Sequence, residues 1–348
     1  MLKEIREIEA YMAKLKEQRA CYLPGSFWKS ALEEITSNFV KNGLPDFRRE
    51  IVNLYFFVPT YGQPGNGFTL NTIESATDAL DPLFNEKQKK YLELTLDGSF
   101  QALADYRTFL ASNLTVEEND LKKFSESKIG NPIEHFSFDN RHYSRSSLNY
   151  LLGLTFLKKV DPHFFPKKVL EIGGGFGTLA EIIGKTFEKR FTYINADLPP
   201  MFKIAEAYVK SCFKEKESFF DDFSNPSGEI QIEELPSYSF LPNWRIEDLR
   251  GEIDLFVNFI SFQEMEPEIV QNYVQIINKL SPKYVLLRNL REGQQKKKNG
   301  SFGVTNPILK EDYITFFKDF DFVESNLLPF GFKTVDGFHS ELMILRKK

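Results

Sequence analysis

Apolar and polar positions along this chain follow two periods. Leu2, Ile5, Ile8, Met12 and Leu15 fall three or four apart in a densely charged stretch, the single stripe of an amphipathic helix. Such a stripe suits a helix packed on its own chain or the seam of a homodimer. Helical spacing returns over 28–40 and 85–110, and the turn-rich run 59–67 lies between them. Residues 131–145 are polar and mixed, and a helix is expected over 146–159. From residue 167 short apolar runs alternate with helical patterns. Strands are expected at 168–172, 191–196, 237–240, 253–260, 283–288, 321–328 and 338–346. Helices are expected at 178–188, 200–213, 266–280 and 311–320, with an irregular acidic insertion at 214–236. This alternation implies an α/β fold, a Rossmann-like, mainly parallel sheet with helices on both faces. The expected division is a mainly helical region over 1–130, serving as cap, lid or dimer contact, followed by the sheet domain over 131–348.

A length of 348 residues fits that division. The net charge of −5 leaves no overall nucleic-acid footprint. The two cysteines, Cys21 and Cys212, match no zinc spacing. A reduced, cytoplasmic setting follows as the expectation. The charged first twenty residues lack the apolar core of a signal peptide, and no run of apolar residues is long enough to span a membrane.

The chemistry concentrates at 169–177, Val-Leu-Glu-Ile-Gly-Gly-Gly-Phe-Gly, an apolar strand running into a glycine turn and then a helix. Gly173 permits a tight reversal, Gly175 a close backbone approach to a ligand, and Gly177 close packing of the following helix on the strand. The N–H groups at that helix start can receive a carboxylate. A dinucleotide fingerprint would place its third glycine at 178, where this chain has Thr178. The pattern is instead E-x-G-x-G-x-G, with Glu171 offered to a methionine ammonium. Asp197 closes the next strand, where an acid accepts ribose hydroxyls. S-adenosylmethionine is therefore the cofactor expected over NAD.

The succession over 130–348 resembles the class I S-adenosylmethionine-dependent methyltransferases. More closely it resembles the sugar O-methyltransferase family, through residues 170–177, Asp197-Leu198-Pro199, Asn258 to Met265, and Arg288-Asn289. The resemblance implies methyl transfer to a sugar hydroxyl in polysaccharide biosynthesis, with a last strand inserted antiparallel. Expected cofactor contacts are Glu171, Gly173, Gly175, Phe176, Gly177, Asp197, Leu198 and Asn258. A sugar hydroxyl is barely acidic, so a general base is expected, and the candidates are Glu264, His142 and His135. His163 and His339 read as structural. No metal is expected, although the acidic pair Asp221-Asp222 is the one candidate for ligands. Lys296, Lys297 and Lys298 form a basic loop that suits either solvent or a phosphate on the acceptor. The acceptor is expected to be a small molecule or glycan. Another small acceptor such as a phenol, and a non-catalytic cofactor-binding subunit, stay open as alternatives.

Overall fold

The computed structural model describes the chain except residues 1, 26, 62–73, 77, 80–82, 114–119, 188, 214–216, 298–302 and 335. Its main strands are β1 (Lys168–Ile172), β2 (Thr192–Asp197), β3 (Tyr238–Pro242), β4 (Leu255–Phe259), β5 (Tyr284–Leu290), β6 (Phe320–Asn326) and β7 (His339–Lys347). They lie side by side in the order β3-β2-β1-β4-β5-β7-β6. The first five are mutually parallel, and β7 runs antiparallel between β5 and β6. Strand order reverses at β1, where β2 lies on one side and β4 on the other. A crevice therefore opens beyond the carboxyl ends of these strands.

The strands read as nearly continuous apolar runs because both faces are covered. Val169, Tyr193 and Leu255 enter one hydrophobic cluster, while Leu170, Ile172, Ile194 and Phe256 enter the other. Ten helices with described bounds dress this sheet and its leading region. They are α1 (Leu2–Leu15), α2 (Trp28–Asn42), α3 (Ile51–Phe56), α4 (Glu86–Leu96), α5 (Ser99–Ser112), α6 (Arg145–Val160), α7 (Thr178–Thr186), α8 (Met201–Phe213), α9 (Pro267–Leu280) and α10 (Lys310–Phe316). Residues of α6, α7 and α8 build the first cluster, and those of α9 and α10 the second.

The continuous helix expected over 85–110 is two helices. Gly98 takes a left-handed φ of 82°, and Asp97 accepts the Ser99 N–H at 2.8 Å, which restarts the chain as α5. The polar 131–145 stretch holds a small hairpin, Phe136–Phe138 with Arg141–Tyr143. Its turn residues Asp139 and Asn140 have φ of 47° and 60°, conformations that Asp and Asn tolerate best among non-glycine residues. Of the expected loop at 59–67, residues 62–67 lie outside the described residues.

α6 is pinned at its start. Ser144 caps it by accepting the Ser147 N–H, and Glu126 accepts both the Ser144 N–H at 2.6 Å and the Ser147 hydroxyl at 2.9 Å. Arg48 from the leading region pairs with the same carboxylate at 2.6 Å in a fully buried position.

The leading region shares its core with the sheet. Ile8, Tyr11 and Leu15 of α1 lie in the same cluster as Phe202, Ala205 and Tyr208 of α8. Tyr11 meets Phe202 edge to face at 4.9 Å and donates to Asp222 at 2.8 Å, and Glu7 pairs with Lys203. One hydrophobic cluster thus spans the boundary expected at residue 130. Ile8 and Leu15 of the α1 stripe pack inside their own chain, and the side chain of Leu2 is outside the described set. Replacing the fully buried Ile8 by Ala should cost about 2–5 kcal/mol, as cavity-forming core substitutions do. Chemical denaturation at two protein concentrations checks this. The midpoint should fall and stay independent of concentration, whereas a seam between two copies would make it concentration-dependent.

Candidate active site

The crevice beyond β1, β2 and β4 is an open cavity. Its floor is the glycine turn, and Asp197, Leu198, Asn243, Ser261 and Glu264 stand around it. The leading region supplies an outer wall, with Leu23, Trp28, Phe56 and Phe57 on the lining. Among the described residues this lining holds two acids, Asp197 and Glu264, and no lysine, arginine or histidine.

Two glycines show why the turn has this composition. A Cβ on Gly174 would lie 2.6 Å from the Glu171 carboxylate and 2.7 Å from the Asn195 amide. Gly175 takes φ 58°, and only the Phe57 carbonyl, at 3.5 Å, lies near where its Cβ would project. Its backbone therefore stays open toward the cavity. Gly177 starts α7 as expected, but the close packing it allows is against Val209 of α8, 2.9 Å from the missing Cβ, and not against the strand. Phe176 borders the cavity while its ring packs on Phe47 and Tyr208, with the Arg48 guanidinium 4.7 Å from the ring centre.

Each carboxyl has its own surroundings. Asp197 ends β2 on the lining and accepts the Leu198 N–H at 2.7 Å. Burial pushes it up to about 7, against the opposing donation from the Leu198 and Gly175 N–H groups. Glu171 is fully buried and lies beneath the turn, away from the lining. Tyr150 donates to it at 2.7 Å and Tyr193 donates to its other oxygen. Burial raises Glu171 to about 7 despite both tyrosines. Glu171 thus meets Tyr150 and Tyr193 in the structure, and the expected grip on a methionine ammonium is not among its contacts. The alternation that puts Leu170 and Ile172 on one face puts Glu171 on the other, facing α6, where it supports the turn from below. The same holds for Asn258. It is fully buried, donates to the Ile172 carbonyl at 3.0 Å and to the Ser261 hydroxyl at 2.6 Å, and accepts the Phe262 N–H at 3.2 Å. It ties β4 to β1 and sits off the lining.

Glu264 stands on the lining at the end of the short helical turn Ser261–Glu264 that follows β4. The Trp28 indole N–H donates to its Oε2 at 3.0 Å. Burial pushes its carboxyl up to about 8; the Trp28 donation works against that and the charge of Asp197 adds to it. A carboxyl with these neighbours can hold or take a proton near neutral pH.

The two histidines proposed as bases stand elsewhere. His135 and His142 stack on each other at 4.6 Å beside the hairpin, and His142 Nδ1 bonds to Ser137 at 2.9 Å. Neither is on the lining. Burial, with the charge of Arg48, pushes His135 down to about 4, so it is neutral at physiological pH. The acidic pair is also split. Asp222 is buried against Arg245 at 3.0 Å and Tyr11, while Asp221 accepts from Ser224 at the surface. No group of three or more His, Cys, Asp or Glu among the described residues could hold a metal ion. Lys296 and Lys297 are exposed and off the lining, and Lys298 lies outside the described residues. His339 pairs with Glu292 at 2.6 Å, and His163 is exposed.

Asn243 and Asn149 are among the lining residues that went unpredicted. Asn243, just past β3, is buried and donates to the Tyr22 carbonyl at 2.9 Å and the Tyr273 hydroxyl at 3.0 Å, yet its Oδ1 has no partner. Asn149 on α6 is buried with an unpartnered Oδ1 as well. An asparagine after an apolar strand is the one cue for Asn243, and the missing acid at that position obscured it.

No protein-family model matches this chain, and no curated protein matches it. Solved structures do resemble it in fold. Magnesium protoporphyrin IX methyltransferase from Synechocystis PCC 6803 with bound SAM is 11% identical, with a TM-score of 0.39 over 58% of this chain and 81% of that chain. TehB from Haemophilus influenzae is 14% identical, with a TM-score of 0.37 over 56% of this chain and 61% of that one. Burkholderia thailandensis 1,6-didemethyltoxoflavin-N1-methyltransferase with bound 1,6-didemethyltoxoflavin and S-adenosylhomocysteine is 15% identical, with a TM-score of 0.38 over 59% of this chain and 77% of that chain.

The raised carboxyls have a consequence for stability. Glu264 keeps its proton in the folded chain up to about 8, whereas its ordinary value is 4.5, so the folded state holds more protons across that window. Stability is therefore present below 4.5 and lost as pH rises toward 8. Thermal unfolding of the ligand-free protein should show a smaller loss across this window in Glu264→Gln than in the parent chain. An identical slope in both would show that Glu264 ionises normally.

Proposed function

We propose that this protein is an S-adenosylmethionine-dependent O-methyltransferase whose acceptor is a sugar hydroxyl, free, nucleotide-linked or within a glycan. The observation that carries the donor is the set of ionisable groups on the cavity lining. Two acids and no basic side chain line it among the described residues. An acid-lined pocket favours a cation and disfavours the diphosphate of a dinucleotide.

The residues present fit this donor. The open backbone at Gly175 leaves space where a side chain would stand, and Asp197 can accept two ribose hydroxyls. The unpartnered Asn243 Oδ1 is a buried acceptor suited to the adenine amine. The N–H groups at the start of α7 suit the methionine carboxylate. When bound, S-adenosylmethionine supplies an electrophilic methyl group on a positively charged sulfur. A positive charge brought into the cavity would favour the carboxylate form of Glu264. Glu264 then takes the proton of the acceptor hydroxyl, and the outer wall excludes water and holds the acceptor in line.

For the acceptor, the support is the resemblance of the motifs together with the shape of the wall. Ser146 and Asn149 offer polar groups on the same cavity that Trp28 and Phe56 line. Such a pairing suits a sugar, which has apolar C–H faces and hydroxyl edges. The second reading is a phenolic acceptor, favoured by the aromatic and apolar character of Trp28, Phe56, Phe259 and Met265.

Release of S-adenosylhomocysteine from a panel of sugars, nucleotide sugars and simple phenols tests both readings. Turnover on a sugar is expected, turnover on phenols alone would support the second reading, and no turnover on any would favour a binding subunit. Asp197→Ala should weaken binding of S-adenosylmethionine roughly 10- to 100-fold, the worth of hydrogen bonds to a charged group. Glu264→Gln should lower kcat by about 10²- to 10⁴-fold, a larger effect than its loss of S-adenosylmethionine binding. Full activity in Glu264→Gln would remove it as the base.

A further inference from the structure

Trp28 comes from the leading region, 236 positions away from Glu264 in sequence, yet its indole N–H reaches the Glu264 carboxyl at 3.0 Å. Both residues line the cavity. The indole is itself held by neighbours, Phe27 at 5.7 Å and Phe56 at 6.3 Å between ring centres. The loop before it runs beside the same residue, since a Cβ on Gly25 would lie 3.6 Å from the Glu264 carbonyl oxygen. Glu264 Oε2 is taken by the indole, and Oε1 has no hydrogen-bond partner among the described residues.

We propose that Trp28 is a positioning residue: its N–H fixes one oxygen of Glu264 and leaves Oε1 free to meet the hydroxyl of the acceptor. An unconstrained glutamate samples several rotamers, and a fixed one presents its proton-accepting atom in a single place. The leading region is then part of the reaction site, because it supplies the group that aims the base. This use of the pair rests on the O-methyltransferase reading, but the pair itself does not depend on it. Besides Glu264, the charged side chain facing the cavity from the packed elements is Asp197, and Cys21, Tyr55, Tyr150 and Tyr273 are the other titratable groups on the lining.

The test needs no ligand. The chain has two tryptophans, so Trp244→Phe leaves Trp28 as the only indole reporter. Trp244 is not on the cavity lining. Emission of Trp28 should change in one step with a midpoint near the value of about 8 for the Glu264 carboxyl. Glu264→Gln, which keeps the size and an acceptor oxygen, should abolish the step, and Asp197→Asn should keep it. A flat profile in the parent, or the same step in Glu264→Gln, would overturn the proposal. Once an acceptor is in hand, Trp28→Phe should lower kcat at least tenfold with affinity for S-adenosylhomocysteine unchanged, and an equal loss of both would mark Trp28 as a wall residue only. If S-adenosylmethionine fails to bind while the fluorescence step appears, the functional reading falls and the pairing stands.

Discussion

Asp197 and Glu264 face one cavity with no basic side chain among its described lining residues to neutralise them. Burial holds each above its ordinary range, near 7 and near 8. Placing carboxyls in such a position is unfavourable for the ionised form unless a cation or a set of donors arrives. The rest of the site serves that condition. The glycine turn provides room, Glu171 and its two tyrosines hold the turn from below, and Asn258 fastens β4 to β1 so that both acids converge.

The leading region does what the sheet alone leaves undone. A parallel sheet presents its carboxyl ends to solvent, and an exposed cleft screens the charges that would act on a ligand. Here α1 anchors on α8, the segment near Tyr22 packs on Tyr273 of α9, and the chain then crosses the cavity to Trp28 and returns to Phe57 above Gly175. The hydrophobic stripe of α1 thus anchors a region whose chain reaches the cavity at Trp28.

Much of the sheet was legible in the sequence because its strands are short, apolar and separated by helices of clear period. The glycine turn and Asp197 were legible for the same reason, since the pattern fixes where the carboxyl ends of β1 and β2 fall. What escaped was side-chain direction within a strand. Glu171 and Asn258 lie at the right ends of the right strands, but alternation turns one beneath the turn and the other into the sheet interior. The place of His135 and His142 off the cavity lining was not legible, because a polar stretch gives no period and its hairpin turns on Asp139 and Asn140, a weak local signal. The Trp28–Glu264 contact joins residues too far apart in the chain for any local pattern to connect.

The central claim is that this cleft selects a cation, and the most direct measurement compares two ligands that differ by that charge. Calorimetry of the intact protein with S-adenosylmethionine and S-adenosylhomocysteine, across the pH range in which Asp197 and Glu264 ionise, makes the comparison. The preference for the sulfonium should grow as pH rises and shrink in Glu264→Gln. A preference that is absent, independent of pH, or replaced by binding of NAD would contradict the account.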